Sequence, residues 1–295
     1  MCFYHKTNVM IQKVFDYVNK VSPWRDDTPD GEIFECAKRA VADILSGAEV
    51  PYTKKDDANW VQGSPLLYRL AGQSGSGKTT QLLPTILEYE KRRGNNPVIV
   101  AVRSFYKYHP KFAELERTLP VGNLRERTNG FALKTLAAAI ALVMERGYLI
   151  TFDITILDPI FEEHINNLIK SHGYTAEYHI LAVPKQQSDF FIEKRKELAQ
   201  SNYVHSENES GKVVNTETKD YFFDILPRGL AHLASVDTTS TATIWTAYDC
   251  APIYVGKLDG ALVALEQGRA EVKELKHSED ELRKAKLLFL KLQYP

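Results

Sequence analysis

The 295-residue chain carries 37 lysines and arginines against 38 aspartates and glutamates, a formal net charge of −1, with 44% hydrophobic and 25% charged residues. That balance suits a folded protein with a sizeable buried core and gives no overall basic field to draw the chain to nucleic acid or an anionic membrane. Cys2, Cys36 and Cys250 lie far apart and fit no zinc-ligand spacing.

The cysteines read as thiols of a reducing compartment. No segment approaches the roughly 20 apolar residues of a membrane span, and the N-terminus lacks the apolar region of a signal peptide. A soluble, cytoplasmic protein with no membrane partner is expected.

In chain order, residues 1–60 hold two helical patterns, about 8–20 and 31–46, parted by the breaker-rich Ser22-Pro-Trp-Arg-Asp-Asp-Thr-Pro-Asp-Gly31. Leu66–Leu70 is a short apolar strand running into Gly72, and a helix follows from about Lys78 to Arg92, with a kink expected at Pro84. Pro97–Phe105 and Tyr148–Thr155 read as strands around the alanine-rich helix of Leu124–Arg146. Asp158–Ser171 reads as helix, Thr175–Val183 as strand and Lys185–Gln200 as helix. The polar stretch 206–218 reads as mobile. A helix over about 218–235, short strands near Thr243–Thr246 and Ile253–Val255, and a charged helical region complete the chain. Strands alternating with helices of this length imply parallel crossovers. The expected class is α/β, a P-loop NTPase-type doubly wound, mostly parallel sheet with helices on both faces. The chain divides into a helical extension (1–60), a core (61–258) and a C-terminal helical region (259–295).

Gly72-Gln73-Ser74-Gly75-Ser76-Gly77-Lys78-Thr79 meets the pattern G-x-x-x-x-G-K-[ST]. Glycines at 72, 75 and 77 let successive backbone N–H groups turn toward an anion, and the helix beginning near Lys78 aims its N-terminal dipole at the same place. Lys78 is placed to reach β- and γ-phosphate oxygens, Thr79 to offer its hydroxyl to Mg²⁺, and Thr80 to close the cradle. ATP or GTP with Mg²⁺ is the implied ligand. A carboxylate for the metal is expected at the end of a neighbouring strand. Asp153 is the first choice; Asp158 better suits an N-cap for the helix starting near Pro159.

From about Pro65 to Val183 the sequence resembles the zeta toxin family, the kinase half of bacterial toxin–antitoxin pairs. The resemblance rests on the cradle LAGQSGSGKTT with Gln73, on Phe105-Tyr-Lys-Tyr-His109-Pro110-Lys-Phe after the second strand, and on Tyr174–Pro184 followed by a helix bearing Arg195. It implies ATP-dependent phosphorylation of a sugar hydroxyl in UDP-N-acetylglucosamine, with Lys78 on the phosphates, Thr79 on the metal and Arg195 on the transferred group. It also implies an antitoxin partner, a role that residues 1–60 could take in cis; the plainer alternative is two helices packed on the sheet.

The pattern departs from the family at three places. Arg103 stands where the family has its catalytic aspartate, Leu157 where it has a substrate-binding arginine, and Lys212 near a second arginine. A guanidinium accepts no proton. Three readings follow: a kinase of a small molecule with Asp153 as proton acceptor and Arg103, His109 and Thr155 on the acceptor side; a nucleotide-binding pseudokinase; or a kinase of nucleic-acid ends, which the near-neutral charge disfavours. His109, followed by Pro110, can also be read as fixing a turn.

Overall fold

The computed structural model describes residues 2–21, 26–55, 66–119, 123–155, 158–201, 216–246 and 251–270. Six strands form one sheet: β1 (Leu66–Ala71), β2 (Val98–Ala101), β3 (Ile150–Asp153), β4 (Thr175–Ala182), β5 (Thr241–Thr246) and β6 (Pro252–Lys257). Their order across the sheet is β2-β3-β1-β4-β5-β6, with every pair parallel except the antiparallel β5–β6 edge. This is the mostly parallel α/β sheet expected from the alternation of elements. The chain leaves β1 toward one edge and later returns to build the other, so β1 is flanked by strands of both halves, and a crevice at the carboxyl ends of such strands is where ligands bind.

Side chains alternate between the faces of a strand, and β1 shows it. Leu67 and Ala71 join the larger core, whereas Tyr68 and Leu70 join a smaller cluster on the other side. The smaller cluster takes Leu82, Leu83 and Ile86 from the chain after the cradle. The larger takes α1 (Cys2–Lys20), α2 (Asp30–Ser46), α5 (Asn123–Glu145), α6 (Pro159–Ser171), α8 (Thr216–Val236) and α9 (Leu258–Ala270). Along α5 every residue from Phe131 to Ala141 is buried, which is why its apolar residues are not confined to one stripe. Its small alanines let neighbouring elements approach closely. The N-terminal helices contribute Val14, Phe15, Val18, Ile33, Cys36 and Val41 to this same core, all fully buried.

Arg69 is the exception in the apolar β1. It is fully buried and donates to both carboxylate oxygens of Glu162 on α6, at 2.6 and 2.8 Å, and to the Ile154 carbonyl at 3.3 Å. Its guanidinium also lies 4.3 Å from the centroid of the Phe152 ring. A buried ion pair needs this kind of multiple coordination to offset its desolvation.

Two elements differ from the sequence reading. The helix expected from Lys78 begins as a π-turn, Lys78–Leu82, before α3 (Leu83–Arg92). Leu82 N–H donates to the Gly77 carbonyl and Leu83 N–H to that of Lys78, both five residues back. Pro84 has no N–H to give Thr80 and its ring crowds the preceding turn; the wider turn relieves this one turn before the proline. The second difference is β2, which ends at Ala101 rather than continuing to Phe105. Ala101 pairs with Asp153, the last residue of β3, so no neighbour remains to extend the ladder. Val102–Tyr108 instead winds into a 3₁₀ helix that sends Phe105 into the core. This places Arg103 beyond the sheet edge, beside the cradle.

The short α4 (Phe112–Thr118) follows, and α7 (Lys185–Ser201) leaves the end of β4. Among the described residues no helix is long and apolar enough to cross a membrane. The polar stretch read as mobile and the C-terminal helical region fall largely on 202–215 and 271–295, outside the described residues.

Candidate active site

The loop after β1 is built mainly by backbone. Gly77 has φ 94° and Gly75 φ 76°, a left-handed region that side chains disfavour. At Gly75 close approach adds a second demand, since a Cβ there would meet the Ser188 carbonyl oxygen at 2.5 Å. The first turn of α7 therefore lies directly on the loop. Ser188 donates its hydroxyl to the Ser74 carbonyl, and Gln73 donates its side-chain amide to the Val183 carbonyl at 2.6 Å. Gln73 is thus a brace between loop and β4, holding the cradle's shape. Thr80 turns its hydroxyl to the Gly77 carbonyl at 3.4 Å, and the buried Ser76 hydroxyl has no hydrogen-bond partner among the described residues.

Lys78 folds its ammonium over the loop, donating to the carbonyls of Gly72 and, at 3.1 Å, Gln73. Thr155 donates to the same Gly72 carbonyl at 3.1 Å. The first N–H groups of a helix lack intrahelical partners, so the turn beginning at Lys78 presents donors and a cation together. The arrangement can take a polyphosphate.

Beside it, Thr79, Arg103 and Asp153 form a triangle. Arg103 Nη1 donates to Thr79 Oγ1 at 2.8 Å, Arg103 Nη2 lies 3.4 Å from Asp153 Oδ2, and Thr79 Oγ1 lies 3.4 Å from the same oxygen. Asp153 is 6% exposed, while the Arg103 side chain keeps a third of its surface open. Thr79 and Asp153 are the two side chains from which a metal site was expected. Here the guanidinium engages both. An ion bound between them would have to compete for the same oxygens, so the residues present do not fit Mg²⁺ as the resemblance implies. Among the described residues no group of three or more His, Cys, Asp or Glu side chains is placed to hold a metal ion.

His109 points its bonds elsewhere. Its Nδ1 accepts from the Lys111 N–H at 3.0 Å, its Nε2 lies 3.4 Å from Asp26, and its ring meets Phe131 edge-on at 4.9 Å. It pins the loop before α2 to the 3₁₀ segment, as the turn-fixing reading has it. Asp26 also lies 3.7 Å from the fully buried Lys134 ammonium. Burial alone would raise the Asp26 pKa, but hydrogen bonds from His109 and Thr28 and the Lys134 charge outweigh it and hold the carboxyl low. Burial conversely lowers the Lys134 pKa, against the pull of Asp26. Asp158 caps α6, its Oδ1 accepting from the Ile160 N–H at 2.8 Å. Arg195 lies on α7, the helix that packs on the cradle, but its side chain is outside the described residues, as are Leu157 and Lys212.

The sequence reading brought Lys78, Thr79, Asp153, Arg103 and Thr155 to one place, and the structure assembles them there. It missed Ser188, Asp26, Lys134 and the Arg69–Glu162 pair. Only Arg69 carried a signal, as a lone charge within Leu66-Leu-Tyr-Arg-Leu-Ala71.

No curated protein sequence matches the chain significantly. Among solved structures, one from a study of the PezAT chromosomal toxin–antitoxin system of Streptococcus pneumoniae superposes with a TM-score of 0.63 at 18% identity, covering 91% of this chain and 99% of that one. The AvrRxo1-ORF1:AvrRxo1-ORF2 complex with ATP gives 0.43 at 14% identity, covering 89% and 83%. The family model described as Zeta toxin matches residues 51–257, more than half of the chain and all of the cradle, the Arg103 edge and Asp153. The chain belongs to the zeta toxin family.

Proposed function

We propose that this protein is a kinase that transfers the γ-phosphate of ATP to a hydroxyl of a small molecule, a nucleotide sugar such as UDP-N-acetylglucosamine or another nucleotide. Family membership and the cradle support a P-loop kinase-type function, and the observation that carries the reading is an ordered P-loop with its lysine, set against a carboxylate on the adjoining strand end. The triphosphate lies along the loop N–H groups with Lys78 on its outer oxygens. The acceptor oxygen forms a bond to the γ-phosphorus as the bond to the β–γ bridging oxygen breaks, and the acceptor proton passes to Asp153. Arg103 supplies positive charge to the oxygens on which charge develops. Phosphoryl transfer depends chiefly on positioning and electrostatics, so a changed base position weakens it less than loss of the cradle would. Arg103 engages both side chains that would hold Mg²⁺, Thr79 and Asp153.

A cytoplasmic site of action and an antitoxin-like protein partner belong to the same reading; the PezAT structure comes from a toxin–antitoxin system. A second reading, nucleotide binding without transfer, is favoured by one observation, the arginine in the family's base position. Incubation with γ-labelled ATP and a metabolite extract separates them. A labelled small-molecule product formed by the wild type and absent with Lys78→Ala is the expected result. Bound ATP with no labelled product would favour the second reading.

A further inference from the structure

We infer that the Arg103 guanidinium is a built-in cation that takes the place of the metal at the nucleotide site, so that the protein binds ATP without a divalent ion. The inference rests on the nucleotide-site reading above and concerns how that site is charged.

Three observations carry it. First, a P-loop threonine and a carboxylate at an adjacent strand end are the two protein groups that flank the metal of a P-loop nucleotide site, and Arg103 contacts both, at 2.8 Å to Thr79 and 3.4 Å to Asp153. The fork matches two oxygen acceptors at once, as arginine does and a compact ammonium does not. Second, the position is enforced by the fold. β2 ends at Ala101 opposite Asp153, and the tight turns of Val102–Tyr108 are anchored by the buried Phe105 and by His109, whose N–H donates to the Tyr106 carbonyl at 3.1 Å. Arg103 therefore stands two residues past the strand end, level with the cradle. Third, Asp153 is almost wholly buried, whereas the Arg103 side chain is 33% exposed. The carboxylate lies deeper than the guanidinium but keeps 6% of its surface open, and of the five N–H donors of an arginine some remain for a ligand's oxygens.

The chemistry is consistent. A triphosphate held by backbone N–H groups and Lys78 needs further positive charge beside its β- and γ-oxygens. A guanidinium gives this through directed N–H bonds, and arginine recognises phosphate in two-pronged fashion. Thr79 accepts from Arg103 and keeps its own proton for Asp153 or a phosphate oxygen. A metal at Thr79 Oγ1 would stand beside the guanidinium that bonds the same oxygen at 2.8 Å, two like charges crowded on one ligand atom.

Calorimetric titration of ATP into the full chain, in EDTA and again in excess Mg²⁺, tests the inference. The wild type is expected to bind with dissociation constants that agree within about threefold in the two buffers. Arg103→Ala is expected to lose about tenfold or more in EDTA, equivalent to roughly 1.4 kcal/mol, and to recover affinity in Mg²⁺ as the freed Thr79 and Asp153 accept the ion. Arg103→Lys should fall between them in EDTA. Circular dichroism melts confirm that each variant is folded. Wild-type binding that weakens tenfold or more in EDTA overturns the inference, as does an Arg103→Ala variant that binds like the wild type in EDTA; either result leaves the nucleotide site standing. Absence of binding by the wild type in both buffers overturns the nucleotide-site reading and the inference with it.

Discussion

Two arginine–carboxylate pairs each draw one member from the adjacent strands β1 and β3, Arg69 and Asp153, one register step apart, and they are built for different ends. Arg69 sits opposite Phe152 and is sealed, with both Glu162 oxygens within 2.8 Å. Arg103 reaches Asp153, the next residue of β3, at 3.4 Å and stays a third exposed. The first pair has its charges mutually satisfied and serves packing between β1 and α6. The second is open on one side, with a single close bond to Thr79, and so is available to a ligand. Burial and coordination, rather than residue type, separate the sealed arginine from the one that is open to a ligand.

That contrast can be broken from the sealed side first. Arg69→Ala removes the guanidinium that two oxygens of the buried Glu162 accept from and should cost about 3–5 kcal/mol in urea unfolding, whereas Arg69→Met combined with Glu162→Leu should cost far less. Next comes the cradle. Lys78→Ala should reduce phosphoryl transfer about 10²–10³-fold with the melting temperature nearly unchanged, since the ammonium's partners are carbonyls at the mouth of the loop. Arg103→Ala should destabilise clearly less than Arg69→Ala, because its guanidinium is a third exposed and water can enter in its place, while it alters nucleotide binding. Equal destabilisation by Arg69→Ala and Arg103→Ala would erase the distinction.

A last effect, confined to acid pH, concerns carboxyls that belong to neither pair. Burial would raise the Asp237 pKa, but hydrogen bonds from Ser240, Lys170 and Thr239 prevail and hold it well below the usual range; Asp26 is held low as described above. A depressed folded-state pKa stabilises fully above the unfolded value, about 3.9 for aspartate, and the contribution is lost as pH falls through the folded value. Unfolding free energy should therefore decline below about pH 4, and Asp237→Asn should flatten part of that decline while leaving the profile near neutrality shallow. An unchanged acid slope in that variant would remove Asp237 from the account.

The cradle was legible because its requirements are local: glycine where φ is positive, a lysine and a threonine opening a helix, and apolar residues before them. The order of strands and helices was legible for the same reason, since the period of apolar residues changes from element to element. The Arg103 triangle was only half legible. Asp153 could be placed at a strand end, but the position of Arg103 depends on where β2 runs out of a partner, a property of β3 and not of Pro97–Phe105 itself. Ser188 and Asp26 carried no local signal, because each acts on a segment more than 80 residues away in sequence. The N-terminal helices read either as a cap on the site or as two helices packed on the sheet, and their apolar faces enter the common core, so deleting them would expose that core as well as any contact they make to the site.

The most direct test is a crystal structure of the full chain with ATP, grown in excess Mg²⁺. The account predicts the triphosphate wrapped by the loop from Gly72 to Thr80, with Lys78 on its outer oxygens and Arg103 still bonded to Thr79 and Asp153 while it contacts the γ-phosphate. A nucleotide bound elsewhere, or a metal ion seated between Thr79 and the phosphates with Arg103 displaced, would contradict it.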